Sequence, residues 1–345
     1  MTKESSSTNR TIEWVDGGIE FLDQTRIPFE IKVVRCTTVK HVVDSIKRLA
    51  TRGAPAIGVV GAYGVALAAL IHDPQSDQLA FQNDVDQLRS ARPTAVNLAK
   101  MVNRVAAMAT SHETALTAAH NVRLEELNAS RGMGELGAQF LLDICGQKKL
   151  RIMTICNTGG LAAVERGTAL AVIQTLHERG CLEEAIPLET RPLLQGGRLT
   201  TWELSRMGAP FRLIVDSAAP GLLQRGFADV VVAGADRIAR NGDTANKVGT
   251  LSLALAANYA GIPFVIVAPE STLDMETLNG QDIEIEYRDG AEVCQFLDSH
   301  VCPDGTPAIN PAFDVTPVQL IDALVTDRRV IHFRRGAKLV ASPDS

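Results

Sequence analysis

Apolar positions follow two rhythms along the chain. Through residue 145 or so they recur mostly every three to four residues, whereas beyond residue 149 they gather in short unbroken runs. The first 25 or so residues of this pattern are different again. "TIEWVDGGIEFLDQTRIP" (11–28) alternates and breaks at Asp16-Gly17-Gly18, a hairpin signal, and "FEIKVVRC" (29–36) alternates after it. Helical periodicity then marks "TVKHVVDSIKRLA" (38–50), "AFQNDVDQLRSA" (80–91), "PTAVNLAKMVNRVAAMA" (93–109) and a long run from His112 to about Asp143. From Lys149 onward, "LRIMTIC", "EAIPLE", "FRLIVD", "DVVVAG" and "PFVIVA" read as short strands separated by helix-length segments. That succession predicts βαβ units and a parallel, doubly wound sheet. The fold class is therefore α/β, with a smaller N-terminal α+β domain over 1–127 and the sheet domain over 128–345, the boundary falling inside the long connecting helix.

One segment, "GAPAIGVVGAYGVALAALI" (53–71), carries no charge over a length that meets the criterion for a membrane span. About half of it is Gly and Ala, Pro55 stands near its start, and no second span or basic anchor follows. It is expected to be a closely packed core helix, and no membrane association is predicted.

In open parallel sheets, ligands bind beyond the carboxyl ends of the strands, where helix N-termini also point. The residues expected there are Cys156, Glu189, Asp216 and Asp236. Cys156 precedes Gly159-Gly160 and a long helix, whose positive end favours a thiolate usable as base or nucleophile. The competing reading, a small buried core thiol, is the one adopted for the other five cysteines. Asp236 leaves the apolar run "VVVAGA", and hydrocarbon around a carboxyl group favours its protonated form, which suits a general acid. It could equally pair with Arg237 or cap the following turn. Asp216, ahead of "SAAPGLL", reads as an N-cap, and Glu189 has Arg191 as a nearby partner.

Anion-binding features are dispersed. Arg52, Gly53 and Ala54 stand just before Pro55, so a guanidinium and free backbone N–H groups would meet at one helix start. Arg92 ahead of Pro93 repeats the arrangement. Gln195 is expected in a flexible loop, "LLQGGRL", and Asn246 with Lys247 at the start of a helix. Each alone reads as a cap or surface loop; jointly they describe a site for a phosphorylated, hydroxyl-rich small molecule. "GMGELG" (132–137) fits G-x-G-x-x-G but follows a helical stretch, so no dinucleotide site is expected there, and no Walker A sequence occurs.

Composition narrows the classes further. The 345 residues exceed a usual single core and are 46% hydrophobic and only 4% aromatic, which favours α/β layers over a sandwich. A formal charge of −6 argues against nucleic-acid binding, which needs a basic field. The one basic cluster, Arg328, Arg329, Arg334, Arg335 and Lys338, is expected to be a solvated tail. Six cysteines without a C-x-x-C pair and seven histidines without H-E-x-x-H predict neither disulfides nor zinc, and a cytoplasmic location. The opening "MTKESSSTNR" has no apolar core of a signal peptide.

"TRGAPAIG", "ARPTAVNL", "CNTGGLA", "ETRPLLQGGRLT", "GADRIARNGDTANKVGT" and "NPAFDVTP", in this order, resemble the methylthioribose-1-phosphate isomerase family, aldose-ketose isomerases of methionine salvage. The resemblance runs from about Thr11 to Val330. It implies a Rossmann-like C-terminal domain, a homodimer, no cofactor or metal, and catalysis by Cys156 and Asp236. It implies that the sugar phosphate is held by Arg52, Gly53, Ala54, Arg92, Gln195, Asn246 and Lys247. The chain departs from the family at Ile155 (more often His), Gly160 (Ala or Ser), Glu165-Arg166 (Gly-Tyr) and Gly197 (Ala). Relatives acting on 5-deoxyribose 1-phosphate or ribose 1,5-bisphosphate, and non-catalytic regulatory subunits of a translation-initiation exchange factor, are the alternatives left open.

Overall fold

The computed structural model describes residues 11–92, 96–146, 148–297 and 299–340. Two compact units divide the chain: Met1–Arg131 with Thr158–Gly167, and Gly132–Asn157 with Thr168–Ser345. The return of Thr158–Gly167 to the first unit has no counterpart in the apolar pattern.

The first unit opens with β1 (Ile12–Val15), β2 (Gly18–Leu22) and β3 (Val33–Cys36), an antiparallel sheet in that order. Asp16 and Gly17 both take positive φ, 43° and 73°, as a two-residue hairpin with the right-handed strand twist requires. Helices α1 (Val39–Lys47), α2 (Ala54–Ile71), α3 (Gln78–Arg89) and α4 (Val96–Met108) follow, and α5 (His112–Cys145) carries the division between the units. The Thr38 side chain accepts from the His41 N–H and so caps α1. The uncharged helix α2 has 16 of its 18 residues buried, the environment that an apolar stripe all the way round demands. Three hydrogen bonds fix the returning segment: Gln24 Nε2 donates to the Leu161 carbonyl at 2.6 Å, and the Thr11 hydroxyl is within 2.9 Å of those of Gly160 and Val164.

The second unit is built on β4 (Leu150–Thr154), α6 (Ala169–Glu178), β5 (Leu182–Pro187), α7 (Thr201–Met207), α8 (Ala219–Gln224) and β6 (Val230–Ala233). A hairpin of β7 (Arg237–Ala239) and β8 (Thr244–Lys247) comes next, then α9 (Thr250–Ala260), β9 (Phe264–Val267) and β10 (Leu273–Asp274). The chain closes with β11 (Gln295–Phe296), β12 (Ser299–His300), β13 (Phe313–Thr316), β14 (Ala323–Val325) and β15 (Val330–Ile331). The main sheet has the order β15-β14-β9-β6-β4-β5, parallel except at β15. "FRLIVD" contributes only two parallel bridges beside β5, Ala185 to Phe211 and Leu188 to Ile214, in place of a full strand. The order thus runs outward in both directions from β4 and β6, which places the topological switch point between those two strands.

A second sheet, β10-β7-β8-β13, was not signalled by the sequence pattern. The "GMGELG" glycines lie inside α5 and serve packing. A Cβ on Gly134 would come within 2.6 Å of Thr175 Oγ1 and one on Gly137 within 2.4 Å of Val172, both on α6. Nor is the basic cluster simply a solvated tail: Arg329 binds Glu270 at 2.9 Å, and Arg334 pairs with Asp322.

Asp229, just before β6, accepts from the Arg151 backbone and guanidinium and from Lys148. Burial alone would raise its carboxyl, but those hydrogen bonds outweigh burial and hold the pKa at about 2. The folded value lies below the unfolded one, so this stabilisation is present above pH 4 or so and disappears as pH falls towards 2. Chemical unfolding should show the stability gap between wild type and Asp229→Asn narrowing by about 2 kcal/mol between pH 5 and pH 2.

Candidate active site

Strands β4 and β6 pair in parallel register, Thr154 opposite Val232, so both release their chains at the same end of the sheet. Cys156 follows β4 by two residues and Asp236 follows β6 by three. Ile155 and Cys156 share an apolar cluster with Ala233 and Ile238, against which Ala235 also packs. The two residues singled out for chemistry are therefore brought to one rim by neighbouring strands.

Cys156 is 8% exposed and sits in the left-handed region at φ 65°. A side chain there is uncommon and costs about 1–3 kcal/mol, so the surroundings must impose it. They do so through both backbone groups. The Cys156 N–H donates to the Thr190 hydroxyl at 2.9 Å, and the Cys156 carbonyl accepts from the Thr200 hydroxyl at 2.6 Å. Asn157, next in the chain, donates to the buried Glu203 carboxylate of α7.

The loop after β5 is equally constrained. Thr190 and Leu194 take φ values of 66° and 56°. The Asp216 carboxylate accepts from the backbone N–H groups of Thr190 and Arg191 at 2.8 and 2.7 Å. Asp216 was expected to cap its own helix, but that cap position is Val215 and the carboxylate ties down a different loop. The Arg191 guanidinium binds the carbonyls of Pro192, Val293 and Gln295. For Glu189, burial and then the neighbouring Asp216 charge raise the carboxyl pKa, and Arg191 only partly offsets them.

Gln195 belongs to no flexible loop: it is 4% exposed and starts a wide helical turn, Gly196–Thr200. Its Oε1 is buried without a hydrogen-bond partner in the protein, the state in which a ligand donor would be favourable. Asn246 and Lys247 lie on β8 and not at a helix start. Asp236 N–H donates to the Ala245 carbonyl, which sets this strand beside the acid. Asn246 Nδ2 donates to the Thr250 hydroxyl, and Lys247 Nζ donates to the Ala312 carbonyl and lies 4.6 Å over the Phe313 ring. The helix start itself is occupied. Asp314, opposite Asn246 on β13, accepts from the N–H groups of Gly249 and Leu251. Burial raises the Asp314 carboxyl against those bonds and Lys247. Gly249 in turn packs against Ile155, closing this strand end on the one that carries Cys156.

Arg52, Gly53, Ala54 and Arg92 belong to the first unit. Gly53 precedes α2 at φ 97°, with no side chain capping that helix start, and a Cβ there would lie 2.4 Å from the Ala162 carbonyl oxygen. Arg52 and Arg92 are partly buried, and Pro93 lies outside the described residues. The sequence pattern points to no site role for Thr190, Thr200 or Asp314, and Asp216 reads in it as a cap. The motifs "ETRPLLQGGRLT" and "NPAFDVTP" contain three of them without indicating which backbone groups they bind. Among the described residues, no three His, Cys, Asp or Glu side chains group as metal ligands would.

Gly196 and Gly197 should respond oppositely to substitution. A Cβ on Gly196 would lie 1.7 Å from the Leu188 carbonyl oxygen, whereas one on Gly197 meets nothing closer than 3.8 Å. In thermal denaturation, Gly196→Ala is expected to lose more than about 2 kcal/mol and Gly197→Ala less than about 0.5 kcal/mol.

The Initiation factor 2 subunit family model matches residues 50–332. A probable bifunctional methylthioribose-1-phosphate isomerase/methylthioribulose-1-phosphate dehydratase of Nocardia farcinica is 46% identical over 96% of this chain, which spans 61% of that relative's length. The methylthioribose-1-phosphate isomerase of Alkalilimnicola ehrlichii is 44% identical, over 96% of this chain and 97% of its own. A crystal structure of 5-methylthioribose 1-phosphate isomerase from Pyrococcus horikoshii OT3 matches with a TM-score of 0.86 at 37% identity, covering 96% of each chain.

Proposed function

The chain belongs to the Initiation factor 2 subunit family, and we propose that within it this protein is the isomerase converting S-methyl-5-thio-α-D-ribose 1-phosphate to S-methyl-5-thio-D-ribulose 1-phosphate in methionine salvage. The reading is supported by near full-length similarity to isomerases of that name. The observation that carries it to particular residues is the delivery of Cys156 and Asp236 to one rim by the paired strands β4 and β6.

Phosphate on O1 prevents ordinary hemiacetal opening, so the ring oxygen must gain a proton as the C1–O4 bond breaks. Asp236 supplies it as general acid. Cys156, as thiolate, then removes the C2 proton, and Asp236, now ionised, takes the proton of the C2 hydroxyl as the ketone forms. Return of the proton from Cys156 to C1 completes the isomerisation with both groups restored. Gln195, Asn246 and Lys247 hold the sugar hydroxyls and phosphate. The same reading makes the protein a cytoplasmic homodimer that needs no cofactor.

Cys156→Ser and Asp236→Asn should each lower kcat by roughly 10²- to 10⁴-fold with little change in substrate affinity. Wild-type turnover in either variant removes that residue from the mechanism. In deuterated solvent, label at C1 of the ketose is the expected result; its absence would replace proton transfer by hydride migration. A substrate panel differing only at C5 (methylthio, hydrogen, phosphate) separates this activity from that of isomerases for 5-deoxyribose 1-phosphate or ribose 1,5-bisphosphate. Binding without turnover throughout the panel would indicate a regulatory subunit.

A further inference from the structure

Three acceptors and donors form a relay that ends at the backbone of Cys156. The Asp216 carboxylate takes the N–H groups of two consecutive residues, Thr190 and Arg191, at 2.8 and 2.7 Å, one on each oxygen. Thr190 is fully buried and, although β-branched, is held at φ 66°. Its hydroxyl is committed in both directions, donating to the Leu188 carbonyl at 3.0 Å and accepting from the Cys156 N–H at 2.9 Å. Cys156 itself stands at φ 65°. Two adjoining loops, after β4 and after β5, thus each place a residue with a side chain in the left-handed region, and a single hydroxyl joins them.

We propose that Asp216 and Thr190 are positioning residues: the carboxylate locks the Thr190 backbone, and the Thr190 hydroxyl locks Cys156 in the left-handed conformation that fixes where its sulfur lies. Neither side chain is required to touch substrate. The carboxylate suits the task because bonds from two N–H groups to an ionised acceptor are strong and directional. The hydroxyl suits it because threonine can accept and donate at once, as it does here while fully buried. Without the hydroxyl, the buried Cys156 N–H has no partner there, and the turn is free to leave a conformation that a side chain disfavours.

The proposal rests on the isomerase reading for its kinetic consequence, but its decisive readout is chemical access to one sulfur. Alkylation of intact protein by iodoacetamide, followed residue by residue by mass spectrometry, measures how often each thiol becomes accessible. Cys156 is 8% exposed, and Cys36 and Cys294, at 0% and 4%, serve as internal controls for general loosening. Thr190→Val, which keeps the shape and removes the hydroxyl, should speed alkylation of Cys156 about tenfold or more while Cys36 and Cys294 keep their wild-type rates. Thr190→Ser, which restores the hydroxyl, should return Cys156 to within about threefold of wild type. With methylthioribose 1-phosphate, Thr190→Val should lose about tenfold in kcat with KM changed by less than about threefold. Should the valine variant fail to fold, Asp216→Asn reads the same quantity, because it keeps the side-chain volume and withdraws one of the two acceptors. Wild-type alkylation of Cys156 in these variants, or equal acceleration at all three cysteines, overturns the proposal. The alkylation pattern without turnover by the wild-type protein would leave the positioning role standing and remove the isomerase reading.

Discussion

The arrangement depends on one ladder, that between β4 and β6. Parallel pairing of Thr154 with Val232 fixes how far each strand reaches before its chain turns away. It also makes these two strands the pair at which the sheet order reverses, where no crossover connection covers the gap beyond their carboxyl ends. A thiol two residues beyond one strand and a carboxyl group three beyond the other then leave the sheet at the same end. Both strands are buried on the cores of their faces, Val230 to Ala233 completely, so the positions they define do not drift.

Legibility in the sequence followed the strength of the local signal. The Asp16-Gly17 hairpin, the helices α1 to α5 and the parallel strands β4, β5, β6 and β9 were all readable, because turn chemistry and apolar period specify them without reference to distant residues. The sheet formed by β7, β8, β10 and β13 was not. Its strands are two to four residues long, and β8 consists of Thr244, Ala245, Asn246 and Lys247, whose burial follows from pairing with β13 and not from apolar character. The same reason explains why Asn246 and Lys247 were read as a helix start: Gly249 and Thr250 do begin a helix, two residues later. Cys156 and Asp236 were legible as strand ends, but the reason Cys156 keeps its conformation was not, since Thr190 lies 34 residues away and Asp216 a further 26.

Carboxylates outside the proposed chemistry share a second role. Asp216, Asp243, Asp314, Asp322 and Asp327 each accept from backbone N–H groups of segments distant in sequence, at Thr190 and Arg191, Gly280 and Val318, Gly249 and Leu251, Phe264, and Glu270. Loops at the ends of strands lack ladder partners, and an ionised oxygen satisfies an orphan amide more strongly than a neutral one. The acidic balance of the chain therefore reflects its loop architecture in part, beyond its effect on what the surface repels.

The return of Thr158–Gly167 to the first unit bears on how the molecule comes into being. During synthesis the first unit remains incomplete when residue 131 has left the ribosome, and it gains its last segment only after β4 and Cys156 have also emerged. Neither unit corresponds to a contiguous stretch of gene. An exchange of either half by a single recombination point would sever one of the two cores, which favours inheritance of the pair as an undivided whole.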